Sequence, residues 1–157
     1  SKGDYSMDMR LFTDDVVLDV VEFPAANPSD GTVPASYKDV SEFGYFGFLQ
    51  IVGVSNDTTV TMQVVQATSA GGAGKKNVTG AITTATSLGS ASNNKWAMVI
   101  VQQDKLDSAN GFRYVAVDRV ASGGSATAST IIFLGWRPMT MPVTQPASFA
   151  EVIALVG

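Results

Sequence analysis

The chain contains no cysteine and no histidine among its 157 residues. Without cysteine there is no disulfide, no thiolate metal site and no thiol nucleophile, and the redox state of the compartment cannot be inferred. Without histidine there is no Ser-His-Asp triad, no imidazole-ligated metal and no general base of the commonest kind near neutral pH. Many familiar catalytic and metal-binding arrangements are therefore excluded.

Charged side chains are scarce, at 15% of the residues, and the formal net charge is −4. Binding to a phosphate backbone needs a concentrated face of lysine and arginine, so we expect no nucleic acid partner. No apolar run approaches the ~18 residues of a membrane span. The start SKGDYSMDMR also lacks the apolar core of a secretory signal. We therefore expect no membrane partner.

The chain does contain a succession of short segments that are typical of β-strands, and 45% of its residues are hydrophobic. Two of these segments, Gly44–Val54 and Thr58–Gln66, are separated by a short polar turn at Ser55–Asp57. This pattern predicts a β-hairpin. Both faces of the first segment are largely apolar, which predicts a strand covered on both sides.

Further strands are predicted at Asp14–Phe23, Trp96–Gln103, Phe112–Val120 and Thr127–Trp136. The final segment, 148–156, fits either a short helix or a strand, and we favour a strand or extended tail because no other helix is predicted for it to join. Seven or eight strands at this spacing predict an all-β fold, an antiparallel β-sandwich or barrel.

The predicted domain organisation is an N-terminal arm, residues 1–13, followed by a single β domain, residues 14–157. The arm alternates apolar and polar residues, so it can add as a strand to a sheet edge in its own subunit or in a neighbour. Residues 24–42 contain three prolines and no strand or helix period, which predicts a long loop.

Residues 67–94 are rich in Gly, Ala, Ser and Thr, and this composition favours a flexible connection between strands. The run Gly71–Lys76 superficially resembles a phosphate-binding loop. It lacks the required four residues between two glycines and the Lys-Ser/Thr pair that opens a helix, so phosphate binding is not expected.

Carboxylates are the remaining acid-base groups, at Asp14, Asp15, Glu42, Asp104 and Asp107. They fall at a strand entrance or in turns, where Asp commonly bonds its own backbone, so we predict no catalytic residue, no metal site and no cofactor. Arg113, Asp118 and Arg119 are interpreted as ion pairs at a surface or an interface. The aromatic residues at strand spacing are interpreted as core or subunit-interface residues, with a sugar-stacking platform as the alternative.

Three stretches carry a resemblance to a known group: VVQATSAGGAGKKNVTGAITTAT at Val64–Thr86, LDSANGFRYVAVDRV at Leu106–Val120 and IIFLGWRPMTMPV at Ile131–Val143. Their order resembles that in small virion structural proteins of tailed bacteriophages, of the capsid decoration or cement type. The resemblance implies a β-rich, non-enzymatic protein on the capsid surface of the virion. It also implies the major capsid protein as partner and a homotrimer as the oligomeric state.

For the surface that contacts the capsid or a neighbouring subunit, we predict residues of the arm and of the 24–42 loop. These are Tyr5, Met7, Met9, Leu11, Phe12, Pro28, Pro34 and Tyr37. The arm offers an apolar row and free backbone groups, and the prolines of the loop reduce the entropy lost on ordering. Alternative functions are a head-neck or tail component of the virion, a carbohydrate-binding β-sandwich module and, more distantly, a carboxylate hydrolase.

Overall fold

The computed structural model describes residues 12–26, 30–83, 88–89, 93–122 and 127–150. It contains a one-turn helix α1 (Phe12–Asp15) and the strands β1 (Val16–Ala26), β2 (Gly31–Asp39), β3 (Phe43–Ser55), β4 (Thr59–Ala67), β5 (Lys76–Ile82), β6 (Lys95–Gln102), β7 (Tyr114–Ser122) and β8 (Thr127–Pro138). Two short 3-10 turns, Gln103–Lys105 and Ser108–Asn110, connect β6 to β7. The predicted all-β class is confirmed.

The strands form two four-stranded sheets, sheet A in the order β1-β8-β3-β6 and sheet B in the order β2-β7-β4-β5. Every paired strand is antiparallel to its neighbour. The first strand lies beside the last, and the chain passes from one sheet to the other at every connection except that between β4 and β5. This is the eight-stranded jelly-roll arrangement of two Greek keys, so the sandwich alternative of the prediction is confirmed.

The predicted hairpin between β3 and β4 is wrong, because the two strands lie in different sheets. β3 pairs with β6 and β8, whereas β4 pairs with β5 and β7. The turn after Ser55 carries the chain across the sandwich, and the backbone N–H of Thr58 bonds Ser122 O at 2.9 Å. The apolar faces of β3 and β4 therefore meet across the core instead of sharing one ladder.

The predicted 24–42 loop is also wrong, because β1 continues to Ala26 and β2 occupies Gly31–Asp39. Both strands are sheet edges. The register of β1 shifts between Glu22 and Ala25, around Pro24, and that of β2 shifts between Val33 and Lys38, where Pro34 lies. Edge position and local irregularity are the conditions under which a strand accommodates proline, which has no N–H to donate.

The segment predicted as a flexible connection contains β5, which pairs with β4. Its pairing is interrupted between Gln63 and Val65, and Gly80 adopts a left-handed φ of 77°. The side-chain amide of Gln63 donates to Val78 O and Ala81 O, both at 3.1 Å, and so satisfies backbone groups at the irregularity. Small residues therefore mark a bent strand here.

In the tail, where a strand or extended segment was predicted over 148–156, no strand or helix is found up to Ala150, and residues 151–157 lie outside the described chain.

The core is formed by inward-facing side chains of both sheets. Phe46 and Phe48 of β3 and Phe133 of β8 face Met62, Val64, Val115 and Val117 of sheet B. The Phe48 and Phe133 ring centroids are 5.4 Å apart and tilted by 59°, a favourable aromatic geometry. Apolar burial between the sheets is the main source of stability.

At the side where β1 and β2 lie opposite each other, the two sheets are joined by charges. Arg119 of β7 has a side chain 1% exposed and forms ion pairs with Glu22 at 3.7 Å and Asp30 at 3.9 Å. Lys38 of β2 pairs with Asp19 of β1 nearby. The sequence pattern predicted a surface or interface ion pair for Arg119. The structure instead buries Arg119 within the sandwich, because it shares the inward face of β7 with Val115 and Val117.

Replacing Arg119 by methionine leaves the partly buried Glu22 carboxylate without its nearest cation, so we expect a loss of about 3 kcal/mol in the free energy of unfolding. Urea unfolding followed by tryptophan fluorescence measures it. Arg113→Met is the matched control, since this arginine pairs with Asp39 at 3.3 Å on the surface and should contribute much less. Equal losses in the two variants would contradict the buried role of Arg119.

The pKa of Glu22 is raised above its ordinary value, mainly by burial, although the charge of Arg119 and a hydrogen bond from Ser129 act in the opposite direction. The folded state therefore binds a proton more readily than the unfolded state just above the ordinary glutamate pKa of about 4.3. In that window the contribution of Glu22 to stability falls as the pH rises. We expect the stability of Glu22→Gln, relative to the unmodified protein, to increase from pH 4 to pH 7. Urea midpoints across this range check it, and a decreasing difference would contradict the sign.

Candidate functional site

The outward face of sheet A is apolar, and Arg137 at the end of β8 lies at its margin. We call it the apolar face, and it consists of Val16, Leu18 and Val20 of β1, Thr130, Ile132, Leu134 and Trp136 of β8, Tyr45, Gly47, Leu49 and Ile51 of β3, and Trp96, Met98, Ile100 and Gln102 of β6. These residues alternate along each strand with the core residues. An antiparallel sheet exposed to water normally has a polar outer face, so this composition requires an explanation.

Several side chains of the apolar face are well exposed. Trp96 is 67% exposed, Ile100 58% and Ile51 40%. Phe23, beyond the β1 irregularity, and Phe149, from the tail, extend the exposed apolar area beside Leu18 and Val20. With strands about 4.8 Å apart and side chains repeating every ~6.7 Å on one face, three outward residues of β1 and four of each of the other strands cover about 500 Å². Patches of this size on a soluble domain commonly mark an interaction site.

The outward face of sheet B is different. Its strands present Thr59, Thr61 and Gln63 of β4 and Asp118 of β7. Asp118 accepts hydrogen bonds from Thr32 at 2.6 Å and from Lys75 at 2.7 Å. Ile82 of β5 and Val120 of β7 are also exposed, but they lie among polar and charged side chains. The two faces of the sandwich therefore differ in chemistry, and in the described residues the outer face of sheet A is the more continuously apolar one.

One end of the apolar face is shaped by aromatic stacking. The Tyr45 and Trp136 rings are stacked with centroids 5.9 Å apart, and the Arg137 guanidinium lies 5.3 Å from the centre of the Tyr45 ring. Beside them, a hollow of about 480 Å³ is lined by Asp15, Val16, Trp136, Arg137, Pro138 and Met141. This end of the apolar face therefore combines a hollow lined largely by apolar side chains with the cation of Arg137 at its margin.

The predicted contact residues fall in different places. Tyr5, Met7, Met9, Leu11 and Pro28 lie outside the described residues. Phe12 begins α1 and is 62% exposed. Pro34 lies on β2 and is half-buried. The exposed Phe12 remains available to a partner.

Tyr37 is 7% exposed, which corrects its predicted role as a contact residue. Its ring packs on Val65, Ala67 and Ala116. An added Cβ at Gly72 would lie 2.9 Å from the ring, so the loop after β4 approaches it closely. Burial raises the pKa of the Tyr37 hydroxyl. Tyr37 therefore holds the loop against sheet B.

Most residues of the apolar face were not predicted as contact residues. The sequence did contain a signal, since both faces of β3 are apolar, and the strand aromatics were interpreted as core or interface. The structure divides these aromatic residues into two groups. Phe46, Phe48 and Phe133 are core residues, whereas Tyr45, Trp96 and Trp136 lie on the apolar face.

The conspicuous turn carboxylate Asp107 has a structural role. It accepts hydrogen bonds from Lys76 and from Asn110, and these contacts lower the pKa of Asp107. In the described part of the chain, no group of three or more acidic, cysteine or histidine side chains is placed to hold a metal ion. No helix within those residues has the length and apolar character of a membrane span.

No protein-family model matches the chain, and no curated protein is significantly similar to it in sequence. Among solved structures, it is similar to a chain from the structure of infectious bursal disease virus, Gx strain, with a TM-score of 0.40 and 9% sequence identity. The match covers 81% of the present chain and 33% of the viral chain. The present chain thus spans about a third of that protein, and at this TM-score the similarity supports no inference about function.

Proposed function

We propose that the protein is a non-enzymatic structural component of a bacteriophage particle that binds the outside of the capsid and stabilises it as a homo-oligomer, with a trimer as the expected state. The major capsid protein is the proposed partner, and the capsid surface is the proposed location. The observation that carries the proposal is the apolar face of sheet A, because an exposed apolar patch of this size is often a site of contact with another protein.

The size of the apolar face fits a protein partner. Covering about 500 Å² of apolar area corresponds to a gross gain of roughly 12 kcal/mol at ~25 cal/mol per Å². Losses of motional freedom and of side-chain entropy offset much of this gain. A single contact of this area is therefore modest, and many copies on one shell would strengthen the attachment through multivalency.

The three stretches that resemble phage decoration proteins contain strands of the fold in their described parts. The first includes the end of β4 and β5, the second includes the turn before β7 and most of β7, and the third includes most of β8 and the segment after it. Jelly rolls occur in viral capsid domains, in lectins and in cupins, so the fold is compatible with the proposal without deciding it.

A carbohydrate-binding module is the alternative from another class, and the exposed ring of Trp96 is the observation in its favour. Sugar sites combine an aromatic platform with polar groups that fix the hydroxyls. The face around Trp96 instead presents Ile51, its pairing partner on β3, together with Met98 and Ile100. This apolar setting favours a protein partner over a glycan. A head-neck or tail location within the virion would use the same kind of surface.

The test is reconstitution of particles that lack the protein. We expect purified protein to bind such particles in many copies each, and Ile100→Lys to bind at least tenfold more weakly, because the variant places a charge within a buried apolar contact. The matched control is Thr61→Lys, which adds the same charge to the outward face of sheet B. Co-sedimentation with quantitative gel analysis measures copy number and affinity.

Folding of the variant must be checked separately. Ile100 is 58% exposed, so we expect Ile100→Lys to lower the free energy of unfolding by less than about 1 kcal/mol. The proposal is wrong if Ile100→Lys decorates particles as well as the control variant does, or if the unmodified protein does not bind them. Binding of an oligosaccharide with a change in Trp96 fluorescence would support the carbohydrate alternative instead.

A further inference from the structure

Each sheet has two edge strands, and their unpaired backbone groups can accept another strand unless the edge is protected. The edges are β1 and β6 in sheet A and β2 and β5 in sheet B. Three of the four edges carry protective features, and the fourth does not.

The β1 edge is already occupied by a side chain from the tail. The Gln145 amide nitrogen donates to Val16 O at 2.6 Å and to Thr13 O at 2.9 Å, and the amide oxygen accepts the Leu18 N–H at 3.3 Å. Pro24 interrupts the second half of the strand. Gln145 therefore substitutes for a neighbouring strand, and β1 cannot accept one along this part.

The two edges of sheet B are irregular. β2 contains Pro34 and a register shift, and the Tyr37 N–H bonds Ala70 O at 2.9 Å. β5 is bent at Gly80, where φ is 77°, and its pairing with β4 is interrupted. Proline, bends and register breaks are the usual protections of an edge against strand addition.

The edge strand β6 has none of these protections. Its residues Lys95–Gln102 pair with β3 through an unbroken register from Val52↔Lys95 to Tyr45↔Gln102. It contains neither proline nor glycine, and its only charge is at Lys95. Within the described residues, β3 is the only strand bonded to β6. A flat, apolar edge of this kind is a template for another strand.

The surroundings of β6 provide space for an added strand. A groove of about 410 Å³ lies between the β6 and β5 edges and is lined by residues that include Thr79, Gly80, Ile100 and Gln102. Ile100 and Gln102 also belong to the apolar face, so the groove opens onto that face. A strand placed along β6 would therefore meet the groove and the apolar side chains of Ile100 and Trp96.

We propose that β6 accepts residues Tyr5–Leu11 of a second copy of this chain as an additional strand of sheet A. Tyr5, Met7, Met9 and Leu11 alternate with Ser6, Asp8 and Arg10. In an extended strand the first set shares one side, and it would extend the apolar face beyond Trp96 and Ile100. The backbone hydrogen bonds supply affinity, and the apolar row fixes which side faces outward.

The arm that pairs with β6 must come from another subunit, because the arm of the same chain is too short to reach that edge. A strand added beyond β6 lies four strand intervals from β1, about 19 Å. The turn Phe12–Asp15 advances only about 6 Å, and Leu11 adds about 3.8 Å. Leu11 therefore reaches roughly 10 Å from the start of β1, and the whole Tyr5–Leu11 segment cannot pair with β6 of its own chain.

The arm leaves from one edge of sheet A and binds the opposite edge of the next copy, so the contact is head-to-tail. Contacts of this type close into rings when the rotation between subunits allows it, and a trimer is one such ring. This contact gives the homo-oligomer of the proposed function a physical basis. Its test uses no virus particle, so the two proposals can fail separately.

The experiment is hydrogen–deuterium exchange of the full chain over a dilution series, with sedimentation at the same concentrations. Every second N–H of β6 already faces β3, so we expect the other amides of residues 95–102 to exchange at least tenfold more slowly in the oligomer and to lose this protection on dilution. The double change Asp8→Pro with Met9→Pro removes one N–H from each side of the arm, one of which must face β6, so it should abolish the protection and give a monomer. Met9→Leu, the control, should retain both.

Several results would overturn the inference. Protection of residues 95–102 that does not depend on concentration would place the arm, or another segment, on β6 of the same chain. Protection that persists in the double proline variant would identify a different occupant. No protection at any concentration would leave the β6 edge open. The dilution series of the unmodified protein decides the question even if the double proline variant does not fold.

Discussion

The packing of the two inner sheet faces against each other is the constraint on which the structure depends. Phe48 and Phe133 of sheet A and Met62 and Val117 of sheet B belong to one core, so that the sheets are stable only as a pair. Because each inner face is apolar, the register of every strand is fixed, since a slip by one residue would turn its core side chains outward. The alternation that builds the core therefore also fixes which residues lie on the two outer faces.

Charged side chains are few, and they are concentrated in particular parts of the sandwich. Where β1 and β2 lie opposite each other, the Arg119 and Lys38 pairs bridge the two sheets from within. Elsewhere, charged side chains such as Lys75 and Asp118 lie on the outer face of sheet B. The outer strand positions of sheet A carry no charge apart from Arg137, which lies against Tyr45 at the end of β8. This asymmetry is the basis for assigning an interaction surface to sheet A.

The edges show a similar asymmetry. Proline, register breaks and the Gln145 side chain protect three edges, whereas β6 is regular and apolar. The apolar face and the β6 edge adjoin each other, since Trp96 and Ile100 belong to both. A single contact region made of a sheet face and its edge can combine apolar burial with directional backbone hydrogen bonding, which would suit repeated assembly of identical subunits.

The sequence by itself determined the all-β class and most of the strand positions, because alternation of apolar and polar residues is a local property of the chain. It also predicted, from the two apolar faces of β3, a strand covered on both sides, whereas in the described chain only the inner face is covered and Ile51 on the outer face is 40% exposed. The bent β5 and the edge strand β2 escaped prediction, since small residues and proline disfavour strands unless tertiary pairing supports them.

Only the tertiary structure decided which strands pair, because backbone hydrogen bonding carries no residue-specific code and a short turn after Ser55 can close a hairpin or cross to the other sheet. For the same reason it alone decided that Arg119 is buried and that Tyr37 supports a loop. It also brought outward residues of β1, β8, β3 and β6, which are distant in sequence, onto one apolar face. The apolar face is made of residues from four strands, and it forms only once the order and register of these strands are fixed.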